Sequence, residues 1–199
     1  MPITSERYTV YTGKCTPYTR AMATLTRERI VATALRLADR DGLERASLRR
    51  IADELGVTPM ALYRHVAGKE DLLDGMADLL YAELGEATPA ADWWDDLLAL
   101  ARATRRSLLR HPGAVTLFSR PIAGPHGRRL GDRLCGTLRR AGFYEPEALE
   151  LHEQLTQMVF ALILPELRRR RSRARDAAFE RGLELLHAGL VARLGKAAR

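Results

Sequence analysis

Between Val57 and Val66 the chain reads Val-Thr-Pro-Met-Ala-Leu-Tyr-Arg-His-Val. Several of these side chains can do recognition chemistry on a polyanion. The Arg64 guanidinium can grip guanine O6 and N7 with two bonds, and Met60 or Ala61 can meet a thymine methyl. The Tyr63 hydroxyl, the His65 imidazole and the nearby Lys69 ammonium suit phosphate oxygens. Thr58 is a good helix N-cap, and Pro59 falls where a first helical residue has no use for its N–H. A helix of only two to three turns does not hold itself together in water, so a neighbour must brace it.

That neighbour lies just upstream. Ser47 caps a segment whose Leu48, Ile51, Ala52 and Leu55 form an apolar stripe, and Gly56 suits the left-handed position that ends it. Helix, glycine-containing turn, short helix is the helix-turn-helix pattern, in which the second helix enters the DNA major groove. Arg49 and Arg50 ride on the first helix, where a solvated face and a DNA-facing one are both open readings.

The whole chain sets the bounds. Its 199 residues suit one domain or two small ones sharing a core, and 46% hydrophobic content is enough to fill it. The formal net charge of +7 favours nucleic acid or an anionic surface as partner, although an arginine-rich composition raises charge everywhere. Cys15 and Cys135 make neither a disulfide framework nor a metal cluster. The longest apolar run, Met158 to Pro165, falls far short of a membrane span, and no signal-peptide core opens the chain, so a cytoplasmic protein without membrane contact is expected.

In chain order, residues 1–22 show no helical period and are expected to be a disordered arm, or an extension upstream of a start at Met22. Arg7, Lys14 and Arg20 leave a minor-groove role open for it. Thr26 caps a helix to about Arg40 on the stripe Ile30, Ala34, Leu37, Ala38. Lys69, Glu70 and Asp71 open a helix that Gly85 closes, long enough to leave the small N-terminal unit. A linker with Pro89 follows. Asp92 then caps a helix to about Arg110, with Trp93, Leu97, Leu100, Thr104 and Leu108 on one face. A short turn of helix is expected from Val115 to Ser119. Pro125 opens a further helix to Ala141 with Leu130, Leu134 and Leu138 as its spine, and Pro146 opens the next.

That next helix is apolar on every side from Met158 to Leu164 and must be covered twice, by its own domain and by a second subunit. Arg168 to Arg175 carries six arginines and reads as a solvated loop. The last helix begins near Asp176, with Gly182 and Gly189 a heptad apart for close approach by another helix. No strand-type alternation occurs. The expected fold is all-α: an N-terminal three-helix helix-turn-helix domain (residues 23–68) joined by a long helix to a C-terminal helical bundle (residues 69–199).

The stretch from Thr26 to about Leu80 resembles the TetR family of bacterial regulators. The family pattern Gly-Val-Ser/Thr-x-x-x-Leu-Tyr-x-His-Phe/Val-x-x-Lys-x-x-Leu is met by Gly56, Val57, Thr58, Leu62, Tyr63, His65, Val66, Lys69 and Leu72 at the right spacing. The C-terminal part is similar, more loosely, to the tetracycline-repressor branch through Arg105-Arg106-Ser107-Leu108-Leu109, Leu117-Phe118-Ser119-Arg120-Pro121 and Arg140-Ala141-Gly142-Phe143. The resemblance implies base or near-base roles for Arg49, Thr58, Pro59, Met60, Ala61 and Arg64, and backbone roles for Tyr63, His65 and Lys69. The departures fall on the ligand. The branch's metal-coordinating histidine is Thr116 here, and a second drug-contacting histidine is Gly85, so a magnesium–tetracycline ligand set is not carried over and no metal or cofactor is expected.

The resemblance further implies a sequence-specific DNA-binding regulator, a repressor released from a palindromic operator on double-stranded DNA by a small-molecule effector. The effector pocket candidates are Trp93, Leu97, Thr104, His111, Thr116, Phe118, Gln154, Met158 and Phe160, though the same residues also serve as plain core. A homodimer through the helices of residues 146–167 and 179–194 would set two reading heads about one DNA turn, ~34–36 Å, or a small multiple apart. An activator, a regulator deaf to small molecules and a helical protein binding polyanions without sequence preference are the other readings.

Enzyme chemistry finds little support. No nucleophile elbow, phosphate loop or His-Glu-x-x-His occurs; Gly124, Gly127 and Gly131 fit no nucleotide fingerprint; and histidines 65, 111, 126, 152 and 187 lack ligand spacing. The chain is expected not to be an enzyme.

Overall fold

A computed structural model describes residues 24–167 and 173–197. The expected N-terminal arm, with Arg7, Lys14, Cys15 and Arg20, and residues 168–172, with four of the arginines, lie outside the described residues. Eight α-helices appear among those described, and no strand: α1 (Arg27–Asp41), α2 (Leu48–Leu55), α3 (Pro59–Leu62), α4 (Lys69–Gly85), α5 (Trp93–Arg110), α6 (Pro125–Ala141), α7 (Glu145–Leu167) and α8 (Arg173–Ala197). Two 3-10 segments join them, Leu43–Arg45 and Pro112–Ser119.

Local chemistry sets the ends of the first helices. The Thr26 side chain accepts from the N–H of Arg29, Ser47 from that of Arg50 and Thr58 from that of Ala61. Each satisfies a donor that the helix start leaves orphaned. Gly56 turns the chain at φ 69°, a left-handed conformation that a side chain resists. Helix α3 is a single turn and is held by burial: Leu62 and Val66 are sealed against Ile30, Ala34, Leu37, Ile51, Ala52 and Met76.

The second unit is a bundle of α5, α6, α7 and α8. Leu97, Leu138, Phe143, Leu151 and Leu190 make one part of its core. Ala101, Leu108, Ile163, Phe179 and Leu183 make another. Helix α4 serves both units. Its Leu72 and Met76 pack with α1 and α2, whereas its Asp78 caps α6, accepting from the N–H groups of His126 (2.9 Å) and Gly127 (3.0 Å). A carboxylate there also meets the positive end of the α6 dipole.

The segment after α5 departs from expectation. It is a longer strap, Pro112–Ser119, rather than a turn from Val115. Ala114 and Leu117 enter the core of the N-terminal unit, while Val115 and Phe118 pack toward the bundle. Gly113 lets it lie on α1, because a Cβ there would come 2.3 Å from the carbonyl oxygen of Ala38. Helix α8 starts at Arg173, so Arg173 to Arg175 are helical rather than loop. The Met158–Leu164 stretch is covered on one side: Ile163 is sealed, but Met158 and Leu164 are exposed.

Among the described residues no helix is long and apolar enough to cross a membrane, and no group of His, Cys, Asp or Glu is arranged to hold a metal ion.

Candidate nucleic-acid interface and cavity

The turn α2–α3 presents one open face. Thr58, Pro59, Met60, Tyr63 and Arg64 are exposed, and Ala61 and His65 are half-buried. Met60 is 72% exposed, unusual for an apolar side chain and suited to a thymine methyl. Arg49, Arg64 and Lys69 are exposed with no hydrogen-bond or ion-pair partner among the described residues. Arg50 differs: its guanidinium holds Asp41 at 2.5 Å, bracing α2 against the end of α1.

The loop that carries His65 is fixed from beneath. Arg27 grips both Asp71 carboxylate oxygens, at 2.6 and 2.7 Å, and reaches the carbonyl oxygen of His65 at 3.2 Å. Asp71 in turn accepts from the N–H of Ala67 at 2.7 Å. The Arg27 guanidinium holds the Asp71 carboxyl below the usual carboxylate range, and so does the Ala67 N–H. The loop that follows α3 is therefore held in place by α1 and α4 together.

Between α4, α5, α6, α7 and the strap lies a cavity of about 830 Å³. Its walls are mostly apolar. Leu97, Thr104, Phe118 and Phe160, singled out from the sequence, do line it. Trp93, His111, Thr116, Gln154 and Met158 do not, and helix phase accounts for most of the difference. On α7 the lining face is broad, taking in His152, Glu153, Leu155, Thr156, Gln157, Val159, Phe160, Ala161 and Leu164, and it leaves Gln154 and Met158 on the opposite side. On α5 it runs Trp94, Leu97, Leu98, Leu100, Ala101, Thr104; Trp93 is not part of the lining, although both tryptophans lie against His187. Thr116 is exposed on the outer side of the strap. His111 is buried outside the cavity, between Asp39 and Glu83.

Tyr81, His152, Glu153, Thr156 and Gln157 are among the polar lining residues that escaped the sequence reading. Gly127 lets the Tyr81 ring lie close on α6, where a Cβ would stand 2.9 Å from its Cδ2, but no local feature of the sequence points to the Tyr81 or the His152 ring. Burial pushes the Tyr81 hydroxyl up and the His152 imidazole down from their ordinary pKa values, so both groups are held neutral.

Comparison with known proteins agrees with this two-part geometry. Residues 30–76 match the bacterial regulatory proteins, tetR family, and residues 86–173 match the tetracyclin repressor-like C-terminal domain. An HTH-type transcriptional regulator of Saccharopolyspora erythraea is 35% identical over 151 residues, 74% of this chain and 63% of that protein. The chain spans about half the length of other curated relatives it matches.

Among solved structures, apo ActR from Streptomyces coelicolor is 30% identical with a TM-score of 0.78, covering 89% of this chain and 100% of that one. The same protein has been solved in complex with actinorhodin. BioQ, solved with its natural double-stranded DNA operator, is 29% identical with a TM-score of 0.72, covering 85% of this chain and 99% of that one. TetR family proteins are transcriptional regulators, not enzymes. On its matched segments and its near-complete overlay with ActR, the chain belongs to the TetR family of bacterial regulatory proteins.

Proposed function

We propose that this chain is a homodimeric, operator-binding repressor of the cytoplasm that releases DNA when a largely apolar small molecule fills the cavity. The observation that carries the reading is the double duty of α4. Its first half packs in the core of the DNA-facing unit through Leu72 and Met76, and its second half walls the cavity through Tyr81 and Leu84. A molecule that displaces one end of a stiff helix moves the other end, and with it the reading helix. Residues 23–68 act as the reading head and residues 69–199 as the sensing and pairing part. ActR with actinorhodin and BioQ with its operator supply the two halves of the behaviour by similarity.

In this reading Arg49, Thr58, Pro59, Met60, Ala61 and Arg64 face bases, and Tyr63, His65 and Lys69 hold phosphates. The two-fold axis passes beside α7 and α8, which expose Met158, Leu164, Leu185 and Val191. Releasing DNA by a factor of a hundred needs only about 2.7 kcal/mol of differential affinity, and DNA must weaken the effector by the same factor.

The test is selection of duplexes from a random pool by the full chain, followed by competition with random DNA across a salt series. A palindrome with half-sites about one turn apart, preferred at every salt concentration, is expected. Equal binding to all duplexes would overturn the reading.

A further inference from the structure

Arg27 opens α1, where the helix dipole is positive and a cation is disfavoured. Its side chain does not serve that helix. The guanidinium crosses to α4 and makes four hydrogen bonds among the described residues. Nη2 donates to Oδ1 of Asp71 at 2.6 Å and to the Asp71 carbonyl oxygen at 3.1 Å. Nη1 donates to Oδ2 of Asp71 at 2.7 Å and to the carbonyl oxygen of His65 at 3.2 Å. Both terminal nitrogens are fully used, and only Nε–H is left for anything else. Gly75, one turn along α4 from Asp71, leaves room for the crossing: a Cβ there would stand 3.4 Å from Nη2.

Asp71 is equally engaged. Its Oδ2 also accepts from the Ala67 N–H at 2.7 Å. Gly68 offers α4 no side-chain cap, and Asp71 supplies the fastening instead. Residues 63–68 join α3 to α4. Val66 sinks the middle of this turn into the core. Arg27 and Asp71 fix its rim at two points, the His65 carbonyl and the Ala67 N–H. The recognition side chains here point the other way: Tyr63 and Lys69 are exposed and His65 is half-buried. Three groups that share one stretch of phosphate must stand in one fixed arrangement, and supporting hydrogen bonds behind them are what fix it.

We propose that Arg27 and Asp71 are positioning residues of the DNA interface. They touch no nucleic acid themselves. They hold the turn between α3 and α4 in the shape that lets Tyr63, His65 and Lys69 meet the phosphate backbone together. The proposal rests on the phosphate reading of those three residues above and deepens it. It assigns the pair to affinity and not to choice of sequence, because Arg49, Thr58, Pro59, Met60 and Ala61, which face bases in that reading, lie ahead of the turn.

The test titrates the full-length chain on its selected duplex and on random DNA across a salt series, at a temperature where circular dichroism shows each variant folded. The variants are Asp71→Ala, Arg27→Met, the two together, and Lys69→Ala alone and with Asp71→Ala. Asp71→Ala deletes a negative charge from a DNA-facing turn, so charge alone would tighten binding. The reverse is expected: about a tenfold loss on both duplexes, with the preference for the selected one kept within about threefold and the salt slope shallower by about one, the mark of a lost phosphate contact. Arg27→Met should cost the same, and the double variant no more than either alone, because the pair acts as one unit. Lys69→Ala should weaken the wild type but add little on top of Asp71→Ala.

Unchanged or tighter binding by Asp71→Ala, or losses that add in the double variant, overturns the proposal. So does a loss confined to the selected duplex, which would put the pair behind the base contacts. If Lys69→Ala costs affinity and Asp71→Ala does not, the phosphate contact stands and only the positioning role falls. If Lys69→Ala costs the wild type nothing, the phosphate reading of Lys69 falls and the positioning role falls with it. Should Arg27→Met fail to fold, Asp71→Ala with and without Lys69→Ala decides between these outcomes.

Discussion

The imidazole Nδ1 of His111 lies 2.7 Å from Oδ2 of Asp39, a contact that ties the foot of α5 to the end of α1. The other ring nitrogen lies 3.1 Å from Oε1 of Glu83 on α4. Glu83 also accepts from the Ser107 hydroxyl at 3.0 Å and from Arg110 at 2.8 Å. One side chain thus joins the DNA-facing unit, the shared helix and the bundle. His111→Ala would leave two partly buried carboxylates facing an empty space, and about 2–3 kcal/mol of stability should be lost. Urea unfolding followed at Trp93 and Trp94 measures it. An unchanged midpoint would show that the three-way contact holds nothing.

Gly113 makes the same junction close. A Cβ at this position would stand 2.3 Å from the Ala38 carbonyl oxygen, and the obstacle is backbone that cannot swing aside. Gly113→Ala should therefore push the strap off α1, lowering stability and shifting operator affinity together. Gly189→Ala, with nothing within 4 Å of its Cβ, is the control for stability of the isolated chain and should leave it intact. Equal melting temperatures for the two variants would contradict the geometry.

Arg49 and Arg50 are neighbours with opposite surroundings. Arg49 stands open on the face of α2 beside α3, while Arg50 is drawn back to Asp41. Arg49→Ala should weaken specific operator binding by roughly 1–3 kcal/mol if it reads a base, or by a uniform amount with a shallower salt slope if it holds a phosphate. Arg50→Ala should act on the stability of the N-terminal unit instead. Anisotropy titrations on the selected duplex and on random DNA separate these. Full affinity in Arg49→Ala removes it from the interface.

How far such assignments can be read from the sequence depends on the range of the physics. Caps at Thr26, Ser47, Thr58 and Asp92 and the stop at Gly56 are local events, visible because hydroxyl, carboxylate and glycine chemistry act within a turn. The cavity lining was only half legible. Leu97, Thr104, Phe118 and Phe160 follow from periodicity, but choosing Trp94 over Trp93, or His152 over Gln154, requires the rotation of each helix about its own axis. Packing of the whole bundle fixes that rotation. His111 misled for the same reason: a histidine before proline gives no hint of carboxylates 72 and 28 residues away.

The pairing of Asp96 should make the fold sensitive to acid. Asp96 is fully buried, holds Arg133 at 2.5 Å and Arg140 at 3.1 Å, and accepts from the Thr137 hydroxyl at 2.6 Å and the Ala90 N–H at 3.2 Å. Burial alone would raise its pKa. The Arg133 and Thr137 hydrogen bonds outweigh that and lower it from 3.8 to about 2. A folded-state pKa below the unfolded one gives stability that is complete above the unfolded value and is lost as pH falls through the folded one. Roughly 2 kcal/mol should therefore disappear between about pH 4 and pH 2, an order-of-magnitude figure. Asp96→Asn should be less stable at neutral pH and should flatten that acid limb. A parallel pH profile in the variant would assign the acid loss elsewhere.

Gly182 and Gly189, a heptad apart on α8, divide between two contacts. At Gly182 a Cβ would stand 2.4 Å from Cδ2 of Leu162, so this glycine lets α7 and α8 close on each other within one chain. Gly189 meets nothing, and Leu185, one turn away, is 75% exposed. An open glycine beside an uncovered leucine is a surface shaped for another helix, and in a two-fold pair the same patch serves both subunits. Leu185→Arg should split the dimer, since two like charges would be buried together at the axis. Sedimentation should then report half the mass, with helicity unchanged. Operator affinity should fall steeply in step, because two half-sites read by separate heads lose the effective concentration that pairing provides. If the variant stays dimeric, the axis does not pass beside Leu185, and the spacing expected of the palindrome would have to be derived from a different pairing of α7 and α8.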